Sequence, residues 1–153
     1  MSQFLGMNKD RLYLAFYRRG RVKPDDAKYH TALLLVPKTV NDGTVLQRYH
    51  VKNQIIDGKT QWVFQDPEEV RPRTLRLVSV LYLGKVASKK KVRDAMKTVP
   101  IVQDDPAWRC RHWVWSAVQV CQIYFWQEFY GSSIYNLAFG RSKHRQPRAR
   151  GPG

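Results

Sequence analysis

Long apolar runs are missing from this sequence: none of its 153 residues falls in a stretch near the roughly 18 to 20 consecutive apolar positions that a bilayer crossing takes. No membrane span is expected. Met1 to Asp10 likewise lacks the charged start, apolar middle and small-residue cleavage site of a secretory signal, so the expected compartment is intracellular, cytoplasmic with the nucleus also open. Cysteine is scarce, with only Cys110 and Cys121 present. On one expected helix they would stand about 16 Å apart at about 1.5 Å per residue, whereas a disulfide needs Cα atoms within about 7 Å. They cannot pair with each other, which fits a reducing compartment and leaves each thiol structural or reactive. Two cysteines on one helix and scattered histidines give no zinc-ligand spacing, so neither a metal nor another cofactor is expected. Acid is scarce too, with 12 Asp and Glu against 27 Lys and Arg and a net charge of +15.

Where that charge lies matters more than its size. Six basic residues (Lys85, Lys89, Lys90, Lys91, Arg93, Lys97) stand against one acid, Asp94, in one short stretch, and five more (Arg141, Lys143, Arg145, Arg148, Arg150) lie in the tail. The body between is only mildly basic. The length suits one domain, assigned to residues 1–140, and the Arg, Lys, Gln, Pro and Gly of residues 141–153 predict a disordered basic tail.

Arg11 to Tyr17 alternates with period two and predicts a strand; Tyr29 to Val36, Leu46 to Ile55, Gln61 to Phe64 and Arg73 to Leu83 predict four more, the last of them the longest. Asp57-Gly58 reads as a hairpin turn. Ser88 predicts the cap of a short helix reaching about Thr98, before Pro100. Asp105 followed by Pro106 predicts a second, long helix starting there, with an apolar stripe of Cys110, Val114, Ala117, Cys121 and Tyr124 or Phe125, ending by Gly131. The expected fold is α+β: an antiparallel sheet of about five strands covered by one long and one short helix.

A cysteine early in a helix sits near the positive end of the helix dipole, and Arg109 and Arg111 add to the pull that stabilises a thiolate. A nucleophilic cysteine also needs a base and a group that orients the base. His30 and His50 are the candidates, each in an expected strand beneath that helix. For Cys110 the alternative is a small buried hydrophobe, for His30 a satisfied core histidine, and for His50 a place on a wet face shared with Arg48 and Lys52. Cys121 reads as core, and His112 as lying outside the packed stripe.

Tyr29-His30, Arg48-Tyr49-His50-Val51-Lys52-Asn53 and the segment Val99-Pro100-Ile101-Val102-Gln103-Asp104-Asp105-Pro106-Ala107-Trp108-Arg109-Cys110 resemble a family of small fungal proteins of unassigned function, from Leu12 to about Ser116, and the likeness lapses after about Val118. More remotely, histidine strand, histidine strand and cysteine at a helix start is similar to the permuted papain-like fold of the lecithin:retinol acyltransferase kind. That resemblance implies His30 as base, His50 as orienting residue and Cys110 as nucleophile toward an ester or amide carbonyl. It implies a thiol hydrolase or acyltransferase on a small-molecule, lipid or peptide substrate, or a catalytically silent relative. The competing expectations are a basic module binding nucleic acid or another polyanion weakly through Lys89, Lys90, Lys91 and the tail, and a metabolite-cluster protein with an interaction role only.

Overall fold

The computed structural model describes residues 9–20, 28–74 and 76–122. Five strands, β1 (Asp10–Arg18), β2 (Tyr29–Val36), β3 (Leu46–Ile56), β4 (Lys59–Val70) and β5 (Leu77–Val86), precede two helices, α1 (Lys89–Thr98) and α2 (Cys110–Cys121). The strands form one antiparallel sheet in the order β4-β3-β2-β1-β5. The first four strands are a meander, and β5 returns to the far side of β1. Alternating side chains create two apolar faces. Leu33 and Leu35 of β2 and Tyr49 and Val51 of β3 face the helices, against Val92 and Met96 of α1 and Trp113, Val114 and Ala117 of α2. Ala15, Tyr17, Ala32, Leu34 and Leu46 form a smaller cluster with Val70 and Leu77 packed on it.

The turns follow their sequence signals. Asp57 and Gly58 both take positive φ, 50° and 75°, as a two-residue hairpin with right-handed strand twist requires. The Ser88 hydroxyl accepts from the Lys91 N–H at 3.3 Å and caps α1.

Three expectations about extent are corrected. Where Gln61 to Phe64 was expected, β4 has 12 residues and is the longest strand, while β5 has 10 and starts at Leu77 rather than Arg73. β4 runs through Pro67, which lacks an N–H but is tolerated on an edge strand. The second helix starts at Cys110 rather than at Pro106: Asp105 instead caps a turn, its carboxylate accepting from the Ala107 N–H at 2.8 Å and its carbonyl from the Trp108 N–H at 3.1 Å. Over the described residues α1 has 10 residues and α2 has 12, which does not show one long helix. The expected end of the stripe at Tyr124 or Phe125, the stop at Gly131 and the tail of residues 141–153 lie outside the described residues. No described helix is long and apolar enough to cross a membrane.

Candidate active site

The long motif before α2 sets the position of Cys110. Gln103 acts as a substitute strand on the β4 edge: its side-chain carbonyl accepts from the Trp62 N–H at 2.9 Å and its amide donates to the Trp62 carbonyl at 2.8 Å. Trp108 then packs edge-on against Trp62, with ring centres 5.2 Å apart. Arg109 is the N-cap, with its own N–H donated to Nδ1 of the exposed His112 at 2.9 Å. Cys110 is therefore the first helical residue. No acid occupies this first turn, so the positive end of the α2 dipole is left for the thiol to use.

The structure brings all three sequence-chosen residues together. Thr31 Oγ1 lies 3.5 Å from Cys110 Sγ, and the neighbouring His30 side chain acts on the same sulfur. His30 Nε2 is 2.6 Å from His50 Nδ1, and His50 Nε2 is 2.8 Å from Glu68 Oε2. Glu68 also accepts from Arg48 at 2.7 Å and from Lys52 at 3.0 Å. The result is one chain of polar contacts from the thiol to a carboxylate.

Its proton positions follow from the chemistry of the groups. An ionised carboxylate only accepts, so His50 donates from Nε2 and offers the lone pair of Nδ1. His30 must then donate from Nε2, which leaves Nδ1 for the Cys110 thiol. Burial, aided by the charges of His30, Arg48 and Lys52, pulls His50 down to about 3 against the pull of Glu68. His50 is therefore a neutral donor, and its contact with Glu68 is a hydrogen bond to a charge rather than an ion pair. Glu68 itself is pushed up by burial but held down at about 2 by the hydrogen bonds and charges of Arg48 and Lys52.

The thiol is governed by the same competition. Burial alone pushes Cys110 up, but the hydrogen bond to His30, the Thr31 backbone N–H, the His30 charge and the Thr31 hydroxyl outweigh it and bring the thiol from 9.0 to about 6. Arg19 Nη2 stands 3.9 Å from the same sulfur.

Glu68, Thr31 and Arg19 were not chosen from the sequence. Glu68 reaches the site because β4 carries a bulge: Arg48 lies opposite Glu68, but His50 lies opposite Gln65, so Tyr49 alone faces Asp66 and Pro67. Before the bulge, Trp62 and Phe64 meet Trp108 and Trp113 on the helix side, and Asp66 pairs with Arg93 and Lys97 of α1. After it the alternation inverts, and Glu68 turns to the face of Arg48 and His50. Two sequence signals point there: a proline inside an alternating strand, and a run of Arg48, His50 and Lys52 on one strand face that calls for an acid opposite.

Residues 9–125 match the model of a family of unknown function, DUF6914, a span that starts just before β1 and ends just after α2. The chain belongs to that family. The DUF6914 match extends past Val118, where the likeness was expected to lapse, and it contains every residue of the Cys110 site. No curated protein and no solved structure matches the chain significantly.

The lysine cluster presents less free charge than its sequence implies. Lys89 pairs with Asp10, Lys90 with Asp94, and Arg93 and Lys97 with Asp66. Lys91 is exposed. Among the described residues no group of His, Cys, Asp and Glu is arranged to hold a metal.

Proposed function

We propose that this protein is a cysteine-dependent hydrolase or acyltransferase acting on an ester or amide, with Cys110 as nucleophile, His30 as general base and then general acid, His50 as orienting residue and Glu68 as the acid that fixes His50. The observation that carries the reading is that the hydrogen-bonded line His30, His50, Glu68 ends beside Cys110. A buried structural thiol has no use for a base whose other nitrogen is itself held by a second histidine and a carboxylate. The order of histidine strand, histidine strand and helix cysteine supports a permuted papain-like architecture of the lecithin:retinol acyltransferase kind.

In this mechanism Cys110 Sγ gives its proton to His30 Nδ1 and attacks the carbonyl carbon. The carbonyl π pair moves to oxygen, and the oxyanion is met by the Cys110 and Arg111 N–H groups at the start of α2. As the intermediate collapses, the bond to the leaving alcohol or amine breaks and His30 returns the proton to it, leaving a thioester. Water, or an acceptor alcohol or amine, then loses a proton to His30 as it adds to the thioester, and the thiol leaves with that proton. Throughout, His50 stays neutral and holds the His30 ring by its Nε2–H.

The test is alkylation of Cys110 by iodoacetamide as a function of pH, in the intact protein and in His30→Ala, followed by exposure to p-nitrophenyl acetate. A thiol that reacts well below the ordinary cysteine range, loses this with His30 and acquires one acetyl group supports the reading. A Cys110 that stays inert until the chain unfolds would sink it and leave the core-cysteine and basic-module readings.

A further inference from the structure

One cation at the site stands directly beside the nucleophile. Arg19 follows directly on β1, and its backbone N–H bonds to the Lys28 carbonyl at 3.4 Å, so both ends of the intervening loop are tied beside Cys110. Its half-buried guanidinium comes within 3.9 Å of Cys110 Sγ, yet among the described residues it pairs with no carboxylate. The other arginines near the motif and the strand faces differ in this respect. Arg109 is spent on the carbonyls of Pro106 and Trp108, Arg48 on Glu68 and Arg93 on Asp66. The relay does not need Arg19 either, because its acid, Glu68, lies at the far end beyond His50. A partly desolvated guanidinium aimed at the reacting atom is placed to receive an anion there, and its planar fork is matched to carboxylate oxygens. A single guanidinium also balances a single negative charge.

We propose that Arg19 is the anion-receiving subsite of this centre, so that the acyl substrate of Cys110 carries a carboxylate close to its scissile carbonyl. The inference rests on Cys110 being the nucleophile and adds the class of molecule it attacks. Bound this way, the carboxylate places the carbonyl carbon over Sγ without entering the bond-making steps. Neutral esters lack this hold.

The experiment compares two alkylating reagents that differ in charge alone, iodoacetate and iodoacetamide, on the full-length protein, with the unfolded chain as the reference ratio. Both consume the same thiolate, so any effect of Arg19 on thiol ionisation cancels. The expected result is that the iodoacetate to iodoacetamide rate ratio at Cys110 exceeds the reference by about tenfold, the scale of one charge-assisted hydrogen bond. It should fall to the reference in Arg19→Gln and take an intermediate value in Arg19→Lys, which keeps the charge but loses the fork. An equal ratio in the intact protein and Arg19→Gln, with Cys110 still fast toward iodoacetamide, overturns the subsite and leaves the nucleophile standing. A Cys110 inert to both reagents overturns both.

Discussion

The two cysteines stand at opposite ends of α2, equally buried at 2% and 1% exposure, and are driven in opposite directions. Cys121 has only its burial, which pushes it up to about 12, whereas Cys110 overcomes the same burial through His30 and Thr31 and falls to about 6. Depth therefore does not decide thiol chemistry in this fold; the groups aimed at the sulfur do. Cys121 lies on a helix stripe among apolar neighbours. Cys110 lies on the same stripe, but at a helix start beside the ends of two strands.

The largest expected effect is the contrast itself. Near neutral pH the two thiolate fractions differ by about five orders of magnitude, of which lower intrinsic nucleophilicity at low pKa returns about two to three, leaving a rate ratio on the order of a hundredfold or more. Mass-spectrometric peptide mapping after brief iodoacetamide treatment should find Cys110 labelled and Cys121 untouched, and equal labelling would erase the distinction. Next in size is His30→Ala. With burial no longer opposed by His30, the alkylation midpoint of Cys110 should rise from about 6 toward the 9.0 of an ordinary thiol. The rate near neutrality should then drop by about a hundredfold, tenfold per unit of pKa above the working pH. A midpoint that stays in place would mean the helix end and Arg19, not the imidazole, set the thiol.

Glu68→Gln should act more weakly, because it removes the charge that fixes the His50 tautomer while leaving His30 beside the thiol. Acetylation of Cys110 by p-nitrophenyl acetate is expected to slow by about tenfold, below the 10² to 10⁴ associated with losing a general base outright. A full base-sized loss would place Glu68 closer to the chemistry than its distance implies. Cys121→Ala should be smallest, costing about 1 kcal/mol as a small cavity and leaving Cys110 reactivity alone, as urea unfolding and the same labelling assay would show.

The thiols also pull stability in opposite senses with pH. The raised Cys121 contributes fully below 9.0 and loses its contribution as pH rises toward about 12. The depressed Cys110 contributes fully above 9.0 and loses it as pH falls through about 6. Urea midpoints measured across both windows should therefore decline less on the alkaline side in Cys121→Ala, with the remainder left to buried Tyr49, itself pushed up to about 12, and keep their acid decline.

Much of the scaffold could be read from residue pattern. Period-two runs located β1, β2 and β3, Asp57-Gly58 the hairpin and Ser88 the start of α1, because each is a local signal. The helix start was misjudged because Asp105-Pro106 carries the chemistry of a cap but serves a tight turn, and the true start depends on Gln103 clamping a strand 41 positions away. His30, His50 and Cys110 were legible from spacing and resemblance. His50 was doubted for sharing a face with Arg48 and Lys52, yet that face is closed by Glu68 and leaves His50 at 1% exposure. Glu68 itself was hidden because alternation fails at Asp66-Pro67, and no single-strand pattern reports which residue of a partner strand is skipped.

That skipped residue gives β4 a change of phase. One strand serves two masters through it, delivering Asp66 to the helix layer and Glu68, two positions later, to the opposite side. Were the same sequence to pair without the bulge, Glu68 would keep the phase of Asp66 and lie on the helix side, away from the histidines. The phase of the strand at Asp66 and Pro67 is thus as much a part of the site as the two acids that it sends to opposite faces.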